Sequence, residues 1–142
     1  MKDFSDYELI DHTADIGIIV EANGLKSLFT KAAAAMFSVM MEKTKPIGQA
    51  RKKKTAIDIN AENLKELLVR WLSELLSLSD CKKVIFTDFK ISALTRTHIK
   101  AEIFGAPQSL FKPLREIKAV TYHALVLKEA AGTCRAEVIF DV

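Results

Sequence analysis

Tyr7 and Leu9, then Ile16, Ile18 and Val20, recur at every second position on either side of the polar stretch Asp11-His12-Thr13. Such alternation puts the apolar side chains of an extended chain on one face, so it predicts two short strands or one kinked strand. Asn23-Gly24 closes this region. Beyond it Leu25, Leu28, Phe29, Ala32, Met36, Phe37 and Met40 follow spacings of three and four. That spacing draws an apolar stripe along a helix, which should end near Met41, ahead of Pro46. Thr55, Ile57 and Ile59 alternate with Ala56 and Asp58, a strand emerging from a basic stretch. With Asn60 as its cap, a second helix is expected from Leu64, Leu67, Leu68, Trp71, Leu72, Leu75 and Leu76.

The remainder reads as strands: Val84 to Ile91, Leu94 to Phe104, Ile117 to Lys128, and Cys134 to Val142. A loop carrying Gly105, Pro107 and Pro113 interrupts them, and a turn is expected at Ala131-Gly132. Two amphipathic helices and about six strands, each with one apolar face, imply an α+β domain of two layers. The connections are short enough for hairpins, so the strands should be mainly antiparallel or mixed.

A length of 142 residues fits one domain of roughly 150 residues, so residues 1–142 are taken as a single unit. The composition, 49% hydrophobic and 27% charged with 5 Gly and 3 Pro, excludes a disordered or collagen-like chain. A formal charge of +3 is too small to mark a protein that coats nucleic acid or membrane, so any partner must be argued from local patches. Cys81 and Cys134 stand far apart and form no zinc or disulfide framework; they read as core or half-buried thiols in a reducing compartment. The opening Met1-Lys2-Asp3-Phe4-Ser5-Asp6 is charged where a signal peptide is apolar, and no run approaches the ~18 apolar residues of a membrane span. A soluble, cytoplasmic protein with no membrane partner is expected.

The motifs GxGxxG, GxxxxGK[ST] and GxSxG are absent, which removes the common nucleotide-binding loops and the serine-hydrolase elbow. Polar residues at strand ends remain. Asp11-His12-Thr13-Ala14-Asp15 sets two carboxylates around a histidine and a threonine. The segment is either a hard-cation site, since carboxylate oxygens suit Ca²⁺ or Mg²⁺, or a turn whose side chains bond their own backbone. Asp141 follows the apolar run Val138-Ile139-Phe140 and precedes Val142. It is either a solvated chain end or the end of a strand paired inside the sheet. In Lys118-Ala119-Val120-Thr121-Tyr122-His123, period-two alternation places Thr121 and His123 on one strand face. His123 could be a proton carrier or metal ligand, or simply a hydrogen-bonded structural residue; His98 has no polar cluster around it in sequence. Arg51-Lys52-Lys53-Lys54 could meet RNA or an acidic protein, or be a solvated edge strand whose lysines block aggregation. No aromatics interleave with it, which argues against base stacking.

Tyr7 with Asp11-His12-Thr13-Ala14-Asp15-Ile16, the helix residues Leu67-Leu68, Trp71-Leu72 and Glu74-Leu75-Leu76, the segment Ile117 to His123 and the ending Val138-Ile139-Phe140-Asp141-Val142 together resemble the archease family. The resemblance spans the whole chain in one order. It implies a non-catalytic accessory protein of the RtcB-type RNA ligase of tRNA splicing, one that promotes metal-dependent ligase guanylylation and multiple turnover without sealing RNA itself. It also implies a metal site at Asp15, Asp141 and Val142, with oxygen ligands for a divalent cation such as calcium. His12, Lys118, Thr121 and His123 match family motifs but receive no chemical step. One departure follows Gly105: the family usually has a glutamate and soon a histidine, whereas this chain reads Ala106-Pro107-Gln108-Ser109-Leu110-Phe111-Lys112-Pro113.

Two other functions compete. One is a metal-dependent hydrolase or transferase with Asp15 and Asp141 around the cation and His123 as base, although no nucleophile is recognisable. The other is an RNA-binding or chaperone-like module using the basic run and exposed apolar surface.

Overall fold

The computed structural model describes residues 7–11, 15–44, 46 and 52–142. Among the described residues two helices, α1 (Leu25–Met40) and α2 (Leu64–Lys82), stand with ten strands. The first sheet pairs β1 (Glu8–Asp11), β2 (Asp15–Ala22) and β10 (Thr133–Asp141), with β8 (Ala119–Val120) and β9 (Val126–Ala130) both on the far side of β10. A second sheet runs in the order β4 (Lys53–Asn60), β6 (His98–Pro107), β5 (Val84–Leu94). The small pair β3 (Met41–Lys43) and β7 (Phe111–Pro113) makes a third. All of these pairings are antiparallel, and the α+β expectation holds.

The strand count exceeds the expected six because β3, β7 and β8 span only two or three residues, too few to display a period of two. The expected loop after Gly105 is also more ordered. β6 continues to Pro107, a single 3₁₀ turn covers Gln108–Leu110, and β7 pairs with β3. Leu110 is buried, and its carbonyl accepts hydrogen bonds from the Thr44 N–H and hydroxyl. The expected single strand Ile117 to Lys128 is broken in two. Ala124 lies between the pieces at φ 52°, a left-handed conformation that no β-strand contains.

One continuous core joins both helices to the two larger sheets. In β2 and β10 the inward side chains are Ile16, Ile18, Val20, Ala136, Val138 and Phe140, all at most 1% exposed. In the second sheet they are Ile57, Ile99, Ala101 and Ile103. Helix α1 touches β2 and β10 as well as β5. Contact on both sides explains why Ala33, Ala34 and Ala35 are buried in addition to the expected stripe. Small side chains there let two sheets approach one helix.

Helix α2 is joined to α1 by more than apolar contact. The Trp71 indole N–H donates to the Phe29 carbonyl at 3.0 Å within the core. Such a bond contributes roughly 1 kcal/mol net but would cost more if left unmade in this buried place. The N-cap of α2 is Asn63 rather than Asn60: its side chain accepts from the Glu66 N–H at 2.9 Å, whereas Asn60 is the last residue of β4. The polar run Asn60-Ala61-Glu62-Asn63 offers two asparagines, and β4 pairs through Asn60 with His98, which delays the helix by three residues. At the other end Ser79 donates to the Val84 carbonyl, tying the helix to the start of β5. Cys134 is buried as expected, and burial first, then the Glu129 charge, push its thiol pKa up; Cys81 is instead exposed.

The residue after α2 adopts a left-handed conformation, Lys83 at φ 58° and ψ 43°, with its N–H donating to the Ser79 carbonyl. A side chain in this region costs roughly 1 kcal/mol, which glycine avoids. Lys83→Gly should therefore raise stability by about 0.5–1 kcal/mol, seen as a higher urea midpoint at unchanged slope. A lower midpoint would show that Lys83 contributes a contact outweighing its backbone strain.

Candidate cation site at the paired strand ends

β2 and β10 lie antiparallel over eight partnered positions from Cys134↔Ala22 to Asp141↔Asp15. The register therefore ends with two aspartates directly opposite each other. Because Ile16 and Phe140 point into the core, Asp15 and Asp141 share the outer face of the first sheet with Gly17 and Ile139. Asp15 is half-buried, Asp141 exposed, and Val142 half-buried against the core. Like charges placed opposite each other on adjacent strands repel, and among the described residues no ion pair offsets either one.

The backbone around the pair is fixed. The Lys118 N–H donates to the Asp141 carbonyl at 2.7 Å, and β8 holds Ala119 beside Asp141. Thr121 clamps the same strand twice, since its N–H and its hydroxyl both donate to the Ile139 carbonyl, at 3.1 and 2.9 Å. Gly17 admits the Ile139 side chain: a Cβ at position 17 would lie 2.7 Å from Ile139 Cδ1 and 3.1 Å from the Val138 carbonyl oxygen.

The structure brings Asp15, Asp141 and Val142 to one end of one strand pair. His12, Thr13 and Ala14 lie outside the described residues. Thr121 and His123 do not share a strand face as expected. They sit in the turn after β8, where the His123 N–H donates to the Thr121 hydroxyl at 3.2 Å and the imidazole is exposed. His98, which looked isolated in sequence, approaches Asp58 at 2.6 Å in the second sheet. The 40 residues between them hid that pair, since only the β4–β6 register brings them together. Among the described residues no group of three or more His, Cys, Asp and Glu side chains converges in a manner suited to a metal. A cation here would take two carboxylates and need further oxygens from Val142, from other backbone carbonyls or from water, a donor set that suits a hard ion rather than zinc or copper.

A groove of about 840 Å³ opens beside this end, between the second half of α2 and the segment Leu114 to Val120. Leu76 and Val120 contribute apolar surface, Asp80, Arg115 and Lys118 contribute charge, and Leu114 is 48% exposed at its edge. Of the basic run, Arg51 lies outside the described residues. Lys53 and Lys54 are exposed on the edge strand β4, as expected of a solvated edge, but Lys52 is not solvated: its side chain is 15% exposed and pairs with Asp88 at 2.6 Å.

A mainly antiparallel α+β domain with an acid pair on its central strands is the arrangement against which known proteins can be compared. Residues 7–142 match the Archease protein family (MTH1598/TM1083). The chain is 36% identical over 144 residues to the protein archease of Methanosarcina acetivorans, covering 96% of this chain and 95% of the relative. To that of Sulfolobus acidocaldarius it is 33% identical, covering 96% and 98%. The solution structure of Methanobacterium thermoautotrophicum protein 1598 superimposes with a TM-score of 0.77 at 30% identity, over 97% of this chain and 99% of that one. The crystal structure of an archease from Thermotoga maritima, described as a possible chaperone, shares the fold with a TM-score of 0.65 at 19% identity, covering 94% of each. The chain belongs to the archease family.

The close fit of Ile139 over Gly17 is directly testable. Gly17→Ala should lower stability by about 1–2 kcal/mol, because the new methyl must displace Ile139 and still meets a carbonyl oxygen. In an Ile139→Ala background the same change should cost at least ~0.5 kcal/mol less, the coupling expected of residues in contact. Equal costs in both backgrounds, measured by denaturant titration, would mean that the two positions do not compete for space.

Proposed function

We propose that this protein is an accessory factor that activates an RtcB-type RNA ligase in tRNA splicing, promoting its metal-dependent guanylylation and multiple turnover. The reading rests on family membership, and the observation that carries it to particular residues is the register setting Asp15 opposite Asp141. Two carboxylates on adjacent strands, without a cationic side chain paired to either among the described residues, offer oxygens that one hard cation can share. Asp15, Asp141 and the oxygens of Val142 would hold a divalent cation, calcium being the best match to an all-oxygen, partly open site. Bound there, the cation would supply positive charge and take oxygen ligands at a partly exposed strand end. The chain itself contributes rigidity: Lys118 and Thr121 fix the β10 backbone, so the carboxylates need little reordering on binding.

The adjoining groove supports a protein partner. Its apolar lining, with charges of both signs, resembles the surface that receives a polypeptide segment more than a uniformly basic track for RNA. A hydrolase or transferase centred on the same acids is less well supported, since His123 is an exposed turn residue and the motifs of the common nucleophiles are absent.

The deciding experiment is multiple-turnover RNA ligation with the cognate ligase in catalytic amounts, GTP and a divalent cation. The wild-type protein should raise turnover while showing no ligation or GTP hydrolysis alone. Asp15→Ala and Asp141→Ala should each remain folded, because removing one of two repelling charges does not disturb the core. Each should weaken calcium affinity by at least the ~10–100-fold that loss of an outer-shell partner costs, and most stimulation should go with it. Unchanged turnover with the wild-type protein overturns the accessory role. Wild-type calcium affinity in both variants, measured by titration calorimetry, overturns the site.

A further inference from the structure

The outer face of the β4–β6–β5 sheet is turned away from the helices, and the ligase reading uses none of it. Its cross-strand rows follow from the register. Lys54, Phe104 and Asp88 form one row; Ala56, Glu102 and Lys90 the next; Asp58 and Lys100 share a third with the bulge around Ser92 and Ala93. Ideal pairing would neutralise this face, since Lys90 lies opposite Glu102 and Lys100 opposite Asp58. The side chains choose other partners. Glu102 pairs with Lys54 at 3.4 Å, Asp58 with His98 at 2.6 Å, and Asp88 with Lys52 at 2.6 Å.

All three acids of the face are thus engaged by other residues. Lys90 and Lys100 are exposed and have no ion pair among the described residues. Lys90 Nζ stands instead 5.5 Å from the centre of the Phe104 ring, which is only half-buried. The small side chains of Ala56 and Ser92 leave a depression of about 540 Å³ bordered by Lys90, Lys100, Asp58 and Glu102. An open depression with two ammonium groups that make no ion pair among the described residues and an aromatic ring beside it is suited to a strand that alternates anionic phosphates with flat bases. Phosphates can meet the lysines while a base lies against the ring. An acidic polypeptide would use the lysines but gain nothing from the ring.

We propose that this face is a docking surface for single-stranded RNA, centred on Lys90, Lys100 and Phe104. It lies on a different sheet from the acid pair, so it holds RNA independently of any cation at Asp15 and Asp141. Contact with two or three phosphates gives weak, strongly salt-dependent binding, with log affinity falling against log salt at a slope of about −1.4 to −2.1.

The test is fluorescence anisotropy of a labelled 12-nucleotide oligouridine with the full chain, titrated across salt concentrations without ligase. Saturable binding at low salt with that slope is expected. Lys90→Glu with Lys100→Glu should weaken it by at least about tenfold, and Phe104→Ala by about fivefold, with circular dichroism confirming the fold. A control with the same change in net charge, Lys26→Glu with Lys128→Glu, should weaken it by less than about threefold. No binding at low salt, or equal losses in the two charge-reversal pairs, overturns the proposal. Displacement by polyglutamate as effective as by unlabelled RNA, with Phe104→Ala neutral, also overturns it and assigns the face to an acidic polypeptide. These outcomes are independent of ligase stimulation, so failure of one proposal does not imply failure of the other.

Discussion

The pairing of β2 with β10 is the constraint on which the rest of the molecule depends. It joins segments from the two ends of the chain over eight partnered positions and supplies a large part of the buried face seen by α1. Among the described residues β1 pairs only with β2, and β8 and β9 pair only with β10, so the first sheet has no other spine there. Closing a loop of more than a hundred residues adds only a few kcal/mol of entropic cost over a short one, because the penalty grows with the logarithm of length. Burial of Ile16, Ile18, Phe140 and Val138, each worth roughly 1.5–3 kcal/mol, exceeds that cost. A one-residue slip of β10 against β2 would turn Val138 and Phe140 toward solvent and Asp141 inward while Ile16 and Ile18 stayed in the core, so the hydrophobic pattern that holds the sheet also fixes Asp15 opposite Asp141.

This coupling explains how much of the site could be read from the amino-acid sequence. The alternation of Ile16, Ile18 and Val20 and the run ending at Phe140 mark two strands, and family resemblance links the acid before the first to the acid after the second. What linear order does not contain is the register, and the Asp15–Asp141 opposition is a statement about register alone. The same limit hid the His98–Asp58 pair and the Lys90–Phe104 contact. Lysines of β4 looked free of aromatic company because Phe104 lies fifty residues onward and arrives beside Lys54 only through the β4–β6 pairing.

Local structure was legible in proportion to length. Helix α2 and strands β4 and β6 repeat their period often enough to be found, whereas β3, β7 and β8 complete at most one and a half periods. The break after Val120 has a different origin. Thr121 spends its hydroxyl and its N–H on one carbonyl of β10, and the chain then turns through Ala124 at φ 52°. Neither choice is written in apolar spacing, since Val120, Tyr122 and Leu125 continue to look like strand residues. Helix α1 shows the converse: its stripe was correct, but four consecutive alanines hide a second buried side, because alanine contributes little to any hydrophobic contrast.

Both larger sheets give their inner faces to one core and leave their outer faces to solvent, and the two outer faces solve the problem of surface charge in opposite ways. On the first, Arg135 donates to Glu137 and Glu21, and these bonds raise its pKa, so both acids at that end of the β2–β10 ladder share a cationic partner. At the other end two acids face each other without such a partner among the described residues. On the second sheet Asp88 and Glu102 pair with lysines, Asp58 bonds the His98 imidazole, and Lys90 and Lys100 are left without an ion pair among the described residues. Exposed ion pairs contribute so little to stability that nothing in folding requires either surplus. The asymmetry within one ladder is therefore informative: ion pairs occur at one end and, among the described residues, none at the other, where the Lys118 and Thr121 N–H groups bond the Asp141 and Ile139 carbonyls. A backbone held in place beneath unneutralised carboxylates lowers the ordering cost of a cation or cationic group they would receive, which is how the proposed site would draw on the strand pairing beneath it.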